Sequence, residues 1–296
     1  MSSANIYPTK NFHIFGKGIS FSVSPTIHNA GFEHCSLPYN YTIRESDSID
    51  GVASLIADDR FGGASVTMPH KLQVHKLCDE QTETARLIGA INTLIVKDHG
   101  RRRTVTGDNT DWSGLHSIIV SHSRDKQRHP SVGLVIGAGG ASRAALYSMH
   151  EAGIQKIFLV NRTQATAEKL KEDFSQLFEI EVIATLDAIP AKPDVIIGTV
   201  PADTTTEDQF TSLFGPRGLC IDMSYKPRQT PLLTATQKHP DWDTVTGVEV
   251  LLAQAFDQFR LWTGLEPPKE VMAEAILALD KKRAGGALIN SRAFQA

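Results

Sequence analysis

Residues 134–146, LVIGAGGASRAAL, carry the spacing of a phosphate cradle. Gly137 permits a tight turn, Gly139 lets backbone approach a pyrophosphate, and Ser142 is the third small position, where a helix must pack close to a strand. The stretch Gly137, Ala138, Gly139, Gly140 and Ala141 is therefore the expected dinucleotide contact. A helix starting here offers free N–H groups and a positive dipole end to phosphates. The next apolar run ends at Val160 and is followed by Asn161, Arg162 and Thr163, with no acid among them. An Asp or Glu there would bind ribose hydroxyls; a guanidinium instead suits the 2′-phosphate of NADP, with Thr163 as an added hydroxyl donor. These residues point to NADP over NAD, and Arg143 is a further candidate near the adenine or phosphate.

Three other motifs carry polar side chains that folding alone does not require. Ser22-Val23-Ser24-Pro25 precedes His28 and Asn29. Ser24 before a proline reads as a helix N-cap, which leaves Ser22 unused. Val66-Thr67-Met68-Pro69-His70-Lys71 reads as a strand running into a turn that presents a lysine. Gly107-Asp108-Asn109-Thr110-Asp111 is a polar loop between a strand and an apolar helix. Taken singly, each also reads as an ordinary turn or cap.

The elements that must position these groups alternate. Residues 12–15, 40–43 and 64–67 read as strands and residues 26–35 and 48–57 as helices, while 91–96 and 104–106 pair around a basic tip, Arg101-Arg102-Arg103. The polar stretch 121–131 is the expected linker. After it come strands at 132–136, 156–160, 181–184, 195–197 and 219–222 and helices at 141–152 and 163–178, the β-rich runs having the apolar character of strands buried on both faces. Helical periodicity returns at 248–263 and 268–284. The whole reads as an α/β protein with a mostly parallel sheet.

The chain has 296 residues and a formal net charge of -3, room for two ordinary domains and no basic stripe of a nucleic-acid binder. Three scattered cysteines have no metal-ligand spacing and are expected to be buried, reduced thiols of a cytoplasmic protein. The opening MSSANIYPTK has no apolar signal-peptide core, and no apolar run suits a membrane span. The tail GGALINSRAFQA is expected to be disordered or loosely docked.

Read together, the motifs S-x-S-P-x-x-H-N, V-T-x-P-x-K, G-A-x-N-T, N-T-D-x-x-G, G-A-G-G-x-x-R, N-R-T, D-x-x-Y-x-P (residues 222–227) and G-x-E-x-L-x-x-Q (residues 247–254) resemble the shikimate dehydrogenase family in order, from about Phe12 to Thr263. FGGASVTMPHK and AFDQFRLWTG are closest to fungal members. The resemblance implies two domains: a discontinuous N-terminal α/β substrate domain (residues 1–120 with 250–296 folding back) and a Rossmann-type doubly wound parallel sheet for NADP (121–249), with the active site in the cleft. It implies that Lys71 and Asp111 are the catalytic pair, that Ser22 and Ser24 bind the substrate carboxylate, and that Thr67, Asn92 and Gln254 hold ring hydroxyls. Tyr225 would help the carboxylate end or close the cleft, and Gly247 would line the nicotinamide region. The substrate would be a small ring acid, with no metal, nucleic acid or membrane partner, and the chain a monomer or homodimer.

Two departures stand out. Val250 occupies a position where many members have methionine, and His70 falls at a variable one, so it reads as a packing or surface histidine. Two alternatives stay open. One is quinate in place of shikimate, with NAD; Ser22 and the Arg162-Thr163 pair lean against it. The other is a non-catalytic metabolite sensor, which would be free to lose Lys71 or the glycine turn; both are retained here.

Overall fold

A computed structural model describes residues 7–99 and 102–284 of the chain. The expectations for the extreme N-terminus, for Arg101 and for the GGALINSRAFQA tail lie outside the described residues. In chain order the elements are β1 (Lys10–Gly16), α1 (Ser24–His34), β2 (Tyr39–Glu45), α2 (Ala53–Ile56), β3 (Phe61–Val66), β4 (Glu80–Gln81), α3 (Glu83–Ile88), β5 (Thr93–His99) and β6 (Arg102–Asp108). There follow α4 (Asp111–Asp125), β7 (Val132–Ile136), α5 (Gly140–Glu151), β8 (Lys156–Val160), α6 (Gln164–Phe174), β9 (Ile180–Ile183), β10 (Val195–Gly198), β11 (Gly218–Asp222), α7 (Pro231–Thr236), β12 (Trp242–Val245), α8 (Gly247–Thr263) and α9 (Lys269–Ala284).

The chain forms two units, one from residues before Asp111 together with those from Gln254 onward, the other Asp111–Ala253. The division falls at Thr110, earlier than the expected change after residue 120. The reason is α4, which packs on α5 of the second unit, with Trp112 edge-on to Tyr147. The first half of the expected linker is accordingly the end of α4.

The first unit's sheet runs β2-β1-β3-β5-β6-β4. It is mixed rather than mostly parallel: β1 lies parallel to β2 and β3, while β5 is antiparallel to both β3 and β6. The short connection around the basic tip admits only an antiparallel pair. Successive residues of β1 serve opposite faces. Phe12 packs with Phe32 of α1 and Trp262 of α8, and α1 packs on α9. Phe15 joins Ile49, Val52, Phe61, Val74 and Ile91 in a core on the other side. The helix expected over residues 48–57 is a 3-10 turn (Ile49–Val52) followed by the four residues of α2. Gly51 lies within this stretch, and glycine weakens a helix interior.

The second unit's sheet runs β12-β11-β10-β7-β8-β9, with every pair parallel. This is the doubly wound order, with its switch point between β7 and β10. Leu134, Ile136, Phe158, Val160, Ile196, Cys220, Leu232 and Trp242 form one core on this sheet. Of the cysteines, Cys220 is buried whereas Cys35 and Cys78 are half-buried, and burial pushes the Cys78 and Cys220 thiols up to about 12.

His28, fully buried on α1, stacks on Tyr41 with centroids 4.6 Å apart and lies 4.9 Å from Trp262. Among the described residues neither ring nitrogen has a hydrogen-bond partner of good geometry. Burial lowers its pKa from 6.5 to about 3, with the neighbouring Gln258 amide opposing; burial likewise lowers His13 to about 4, with the Arg44 charge assisting and Asp58 opposing. The unfolded chain therefore gains protons that the fold refuses, and stability is lost as pH falls from about 6.5 through about 4 toward 3. His28→Phe removes two unpartnered nitrogens and keeps the ring. It should leave stability at pH 7 equal or higher and reduce, without abolishing, the acid loss, as read from urea midpoints between pH 7 and pH 4.

Candidate active site

In the first unit, β3 delivers Thr67, whose N–H donates to the Phe15 carbonyl at 2.8 Å. The Met68-Pro69 bond that follows is cis, and the chain then makes a 3-10 turn over His70–Leu72 carrying Lys71. The carbonyl of Lys71 accepts the Ile91 N–H at 2.9 Å. His70 is buried with Nε2 2.9 Å from the Ser46 carbonyl, which agrees with a packing role. Lys71 itself is half-buried, between Met68 and Leu72, both exposed.

Ser22 and Ser24 are both buried and meet each other: the Ser22 hydroxyl donates to Ser24 Oγ at 3.2 Å, and the Ser24 N–H returns to Ser22 Oγ at 3.3 Å. The expectation of Ser24 as helix cap is corrected here. Val23 occupies the cap position, no side chain caps α1, and Ser24 is its first residue, because the two hydroxyls engage each other instead.

Asn92 and Gln254 come together, although 162 positions separate them in the chain: Asn92 Nδ2 donates to Gln254 Oε1 at 3.1 Å. Thr110 joins them. Its N–H donates to Asn92 Oδ1 at 2.7 Å, and its hydroxyl accepts from Asn92 Nδ2 at 3.0 Å and donates to Gln254 Oε1 at 3.1 Å. A directional chain feeds the same amide. Tyr41 donates to Ser65 (2.6 Å), Ser65 to Gln258 Oε1 (2.8 Å), Gln258 Nε2 to Thr93 (2.9 Å) and Thr93 to Asn92 Oδ1 (2.7 Å). Thr110 and Gln258 were missed in the sequence. The available signal for Gln258 was its position one helical turn after Gln254, on the same face of α8. The preceding loop is pinned too: Asp108 Oδ1 accepts from the Thr82 hydroxyl and the Asn109 N–H, and Asn109 Nδ2 donates to the Ala90 carbonyl. Asp111, the residue after Thr110, is buried at the start of α4 and belongs to the second unit.

In the second unit the glycine turn sits at the switch point. Gly137 has φ +115°, and a side chain there would lie 2.3 Å from Thr199 Oγ1. Ser142 Oγ accepts the Gly139 N–H at 2.9 Å and meets Thr199 Oγ1 at 2.7 Å; that hydroxyl also donates to the Ile136 carbonyl at 2.8 Å. Ser142 therefore contributes a hydroxyl as well as its small size, and Thr199 is a partner the sequence did not disclose.

The turn fits a dinucleotide phosphate. An added Cβ at Gly139 would meet nothing within 4 Å, and among the described residues no protein group accepts from the N–H groups of Ala138, Gly140 or Ala141. Asn161 Nδ2 donates to the Thr163 carbonyl at 2.9 Å, holding the turn after β8. Arg162 and Thr163 are exposed; Thr163 occupies the N-cap position of α6, yet its hydroxyl makes no cap bond. Arg143 is ion-paired with Asp173.

Two strands along from β7, Asp222 ends β11 in a buried position. Burial raises its carboxyl to about 6, opposed by hydrogen bonds from Thr230 and Ser224. Tyr225 follows on the loop, half-buried, with the Arg228 guanidinium 5.9 Å from its ring centroid. Gly247 starts α8 against that loop: a Cβ there would lie 2.6 Å from the Ser224 carbonyl oxygen. Among the described residues no group of three or more His, Cys, Asp or Glu could hold a metal ion, and no helix is long and apolar enough to cross a membrane.

A six-stranded parallel sheet in this order, with a glycine turn at its switch point, defines the Rossmann class of dinucleotide-binding folds. Three family profiles match the chain: "Shikimate dehydrogenase substrate binding domain" over residues 14–94, "Shikimate / quinate 5-dehydrogenase" over 122–230, and "Shikimate 5'-dehydrogenase C-terminal domain" over 247–277. The chain belongs to the shikimate dehydrogenase family. It is 43% identical over 280 residues to the pentafunctional AROM polypeptide of Malassezia globosa, covering 89% of this chain and 17% of that one. The solved dehydroquinate dehydratase and shikimate dehydrogenase from S. pombe AroM is 35% identical with a TM-score of 0.76, over 91% of this chain and 53% of that chain. The chain thus spans a small part of its fungal relative and about half of that structure. Two further structures are 26% identical. The Thermus thermophilus shikimate 5-dehydrogenase in complex with NADP(H) and shikimate has a TM-score of 0.72, over 90% of this chain and 98% of that one. The Corynebacterium glutamicum quinate dehydrogenase in complex with NAD has a TM-score of 0.77, over 92% and 100%.

Truncating Asn92 to alanine would remove, away from water, the acceptor of the Thr110 N–H and of the Thr93 hydroxyl and one of the donors to Gln254 Oε1. Asn92→Ala should lower stability by about 2–4 kcal/mol, measured as a shift of the urea midpoint. A loss under about 0.5 kcal/mol would mean that the network adds nothing net.

Proposed function

We propose that this chain is an NADP-dependent shikimate dehydrogenase that reversibly reduces 3-dehydroshikimate to shikimate. The observation that carries the proposal is that a chain of this family keeps both Lys71, displayed on the turn after β3, and the glycine turn at the switch point of its second sheet. When bound, NADP supplies the hydride acceptor and NADPH the donor.

Oxidation of a ring alcohol to a ketone also releases one proton, and the chain's own residues must manage it. In this reading the Lys71 amine takes the hydroxyl proton and returns it in the reverse direction. Asp111 fixes Lys71 and accepts a hydrogen bond from the substrate. Ser22 and Ser24 donate to the substrate carboxylate; their contact holds the two hydroxyls side by side, and Ser22 turns its one proton from Ser24 to the ligand. Tyr225 serves the same end of the ring. Thr67, Asn92 and Gln254 hold the other hydroxyls, with the last two kept in place by the buried network. The phosphates are assigned to Gly137, Ala138, Gly139, Gly140 and Ala141, the adenosine 2′-phosphate to Asn161, Arg162 and Thr163, and the nicotinamide wall to Gly247.

The exposed Arg162 and the uncapped Thr163 hydroxyl support NADP over NAD. The NAD complex of a quinate dehydrogenase among the structural neighbours favours one competing reading, quinate with NAD. Side-by-side kinetics on both acids with both cofactors decide between them: absorbance should rise at the NADPH band with shikimate and NADP, and faster turnover of quinate with NAD would replace this reading. No turnover with any pairing would leave a metabolite sensor.

Two substitutions test the roles. Lys71→Ala should cut kcat by about 10²–10⁴-fold and change substrate affinity much less; near wild-type turnover would remove the lysine from proton transfer. Arg162→Ala should raise KM for NADP by about tenfold or more while leaving KM for NAD nearly unchanged, the cost of one lost charge-assisted phosphate contact. Equal effects on both cofactors would refute the 2′-phosphate assignment.

A further inference from the structure

Asp222 stands where the chain leaves β11 for the loop that carries Tyr225. Its two carboxylate oxygens reach opposite ends of that loop. Oδ1 accepts the Ser224 N–H at 3.0 Å, and Oδ2 accepts the Thr230 hydroxyl at 2.6 Å. Thr230 is itself fixed, since its Oγ1 accepts the Leu233 N–H at 3.3 Å as the cap of α7. On the strand side, the Met223 N–H donates to the Gly198 carbonyl at 2.8 Å. One buried carboxylate thus closes the segment 224–230 on itself, with Tyr225 next to one tie and the Arg228 guanidinium beside its ring. The start of α8 presses on the same backbone, where Gly247 leaves no space for a side chain.

Burying a carboxylate is costly, and a strand end does not require one. The arrangement gains what a loop lacks by default, a single backbone path, because freezing loop residues costs conformational entropy unless specific bonds offset it. We propose that Asp222 is a positioning residue for Tyr225, holding the loop in the one conformation that presents the phenol to the anionic end of the substrate. The proposal rests on the functional reading above for the identity of the substrate, and on the carboxylate geometry for the rest. Asp222 touches no substrate in this account; it acts through Ser224, Thr230 and the backbone between them.

Three variants of the full chain separate this role from plain stability. Asp222→Asn keeps the volume but has one acceptor oxygen for two donors. Thr230→Val removes one tie, and Thr230→Ser keeps it. With shikimate and NADP, Asp222→Asn and Thr230→Val should each raise KM for shikimate by about tenfold and move kcat and KM for NADP by less than about threefold, while Thr230→Ser stays within about twofold of wild type. In a double variant, Asp222→Asn should add less than about twofold to the loss seen in Tyr225→Phe alone, since both act on one interaction. Multiplying effects in the double variant, or equal damage to both substrates, would overturn the proposal. Amide hydrogen exchange over residues 223–230 tests the positioning independently of turnover. Asp222→Asn should speed exchange there by about tenfold and leave β7 and α5 unchanged. Unaltered exchange in that loop would defeat the claim even in an active enzyme, whereas faster exchange in a chain that fails to oxidise shikimate would leave the loop device standing and remove only its substrate.

Discussion

The carboxamide of Asn92 has to satisfy several neighbours from a position with almost no access to water. A buried polar network of this kind is either complete or damaging, because each unanswered donor or acceptor carries a desolvation cost. Here it is answered from three distant parts of the chain: the strand end at Ser65 through Gln258, the loop residue Thr110, and Gln254 on α8. The first unit is discontinuous in sequence, and this network, with the Trp262 indole N–H donating to the Leu94 carbonyl, joins the returning segment by directional bonds as well as apolar packing. It also orients Asn92 and Gln254, two of the side chains to which the proposed function assigns the substrate's hydroxyls. Folding and recognition then draw on the same groups, which explains why amides rather than aliphatic residues occupy these core positions.

The second unit solves a different problem, holding a backbone turn open toward a phosphate without losing its shape. Glycine supplies the conformation and the space. Three hydroxyl contacts among Ser142, Thr199, the Gly139 N–H and the Ile136 carbonyl supply the rigidity. Two strands along, Asp222 ties the ends of the loop after β11. In the proposed reaction the two halves of the chemistry separate by unit. Hydride handling follows from how the second unit grips a nucleotide, and proton handling begins with a lysine from the first.

Much of this was legible in the residues. The glycine turn was readable because its requirements are local: a small residue at each of three positions between a β-branched run and a helical one. Strands β7 and β8 lie where their apolar runs lie, for both are buried on each face. The pairing of β5 with β6 was visible from the short connection around the basic tip. What escaped was non-local. The resemblance sets Asn92 and Gln254 against one substrate, but no pattern gives the direct bond between side chains 162 residues apart, and nothing near Thr199 advertises its bond to Ser142. Ser24 looked like a cap because caps are read from residue type, whereas its hydroxyl is claimed by Ser22. The expected linker failed for a related reason. Polar residues at 121–125 are the last turn of an amphipathic helix, half-buried at 121–123 and exposed at Arg124 and Asp125, and polarity alone cannot tell that from a loop. Strand β12 is four residues at a sheet edge, and β4 is two, too short for periodicity to register.

The central claim is that this chain moves a hydride directly between a ring carbon and a nicotinamide. The most direct measurement uses shikimate carrying deuterium on the carbon that bears the reacting hydroxyl, with NADP as partner and mass spectrometry of the recovered cofactor. The account predicts that the label appears in NADPH, one deuterium for each ketone formed. Ketone formed with the label washed into water, or no reduced cofactor at all, would contradict it.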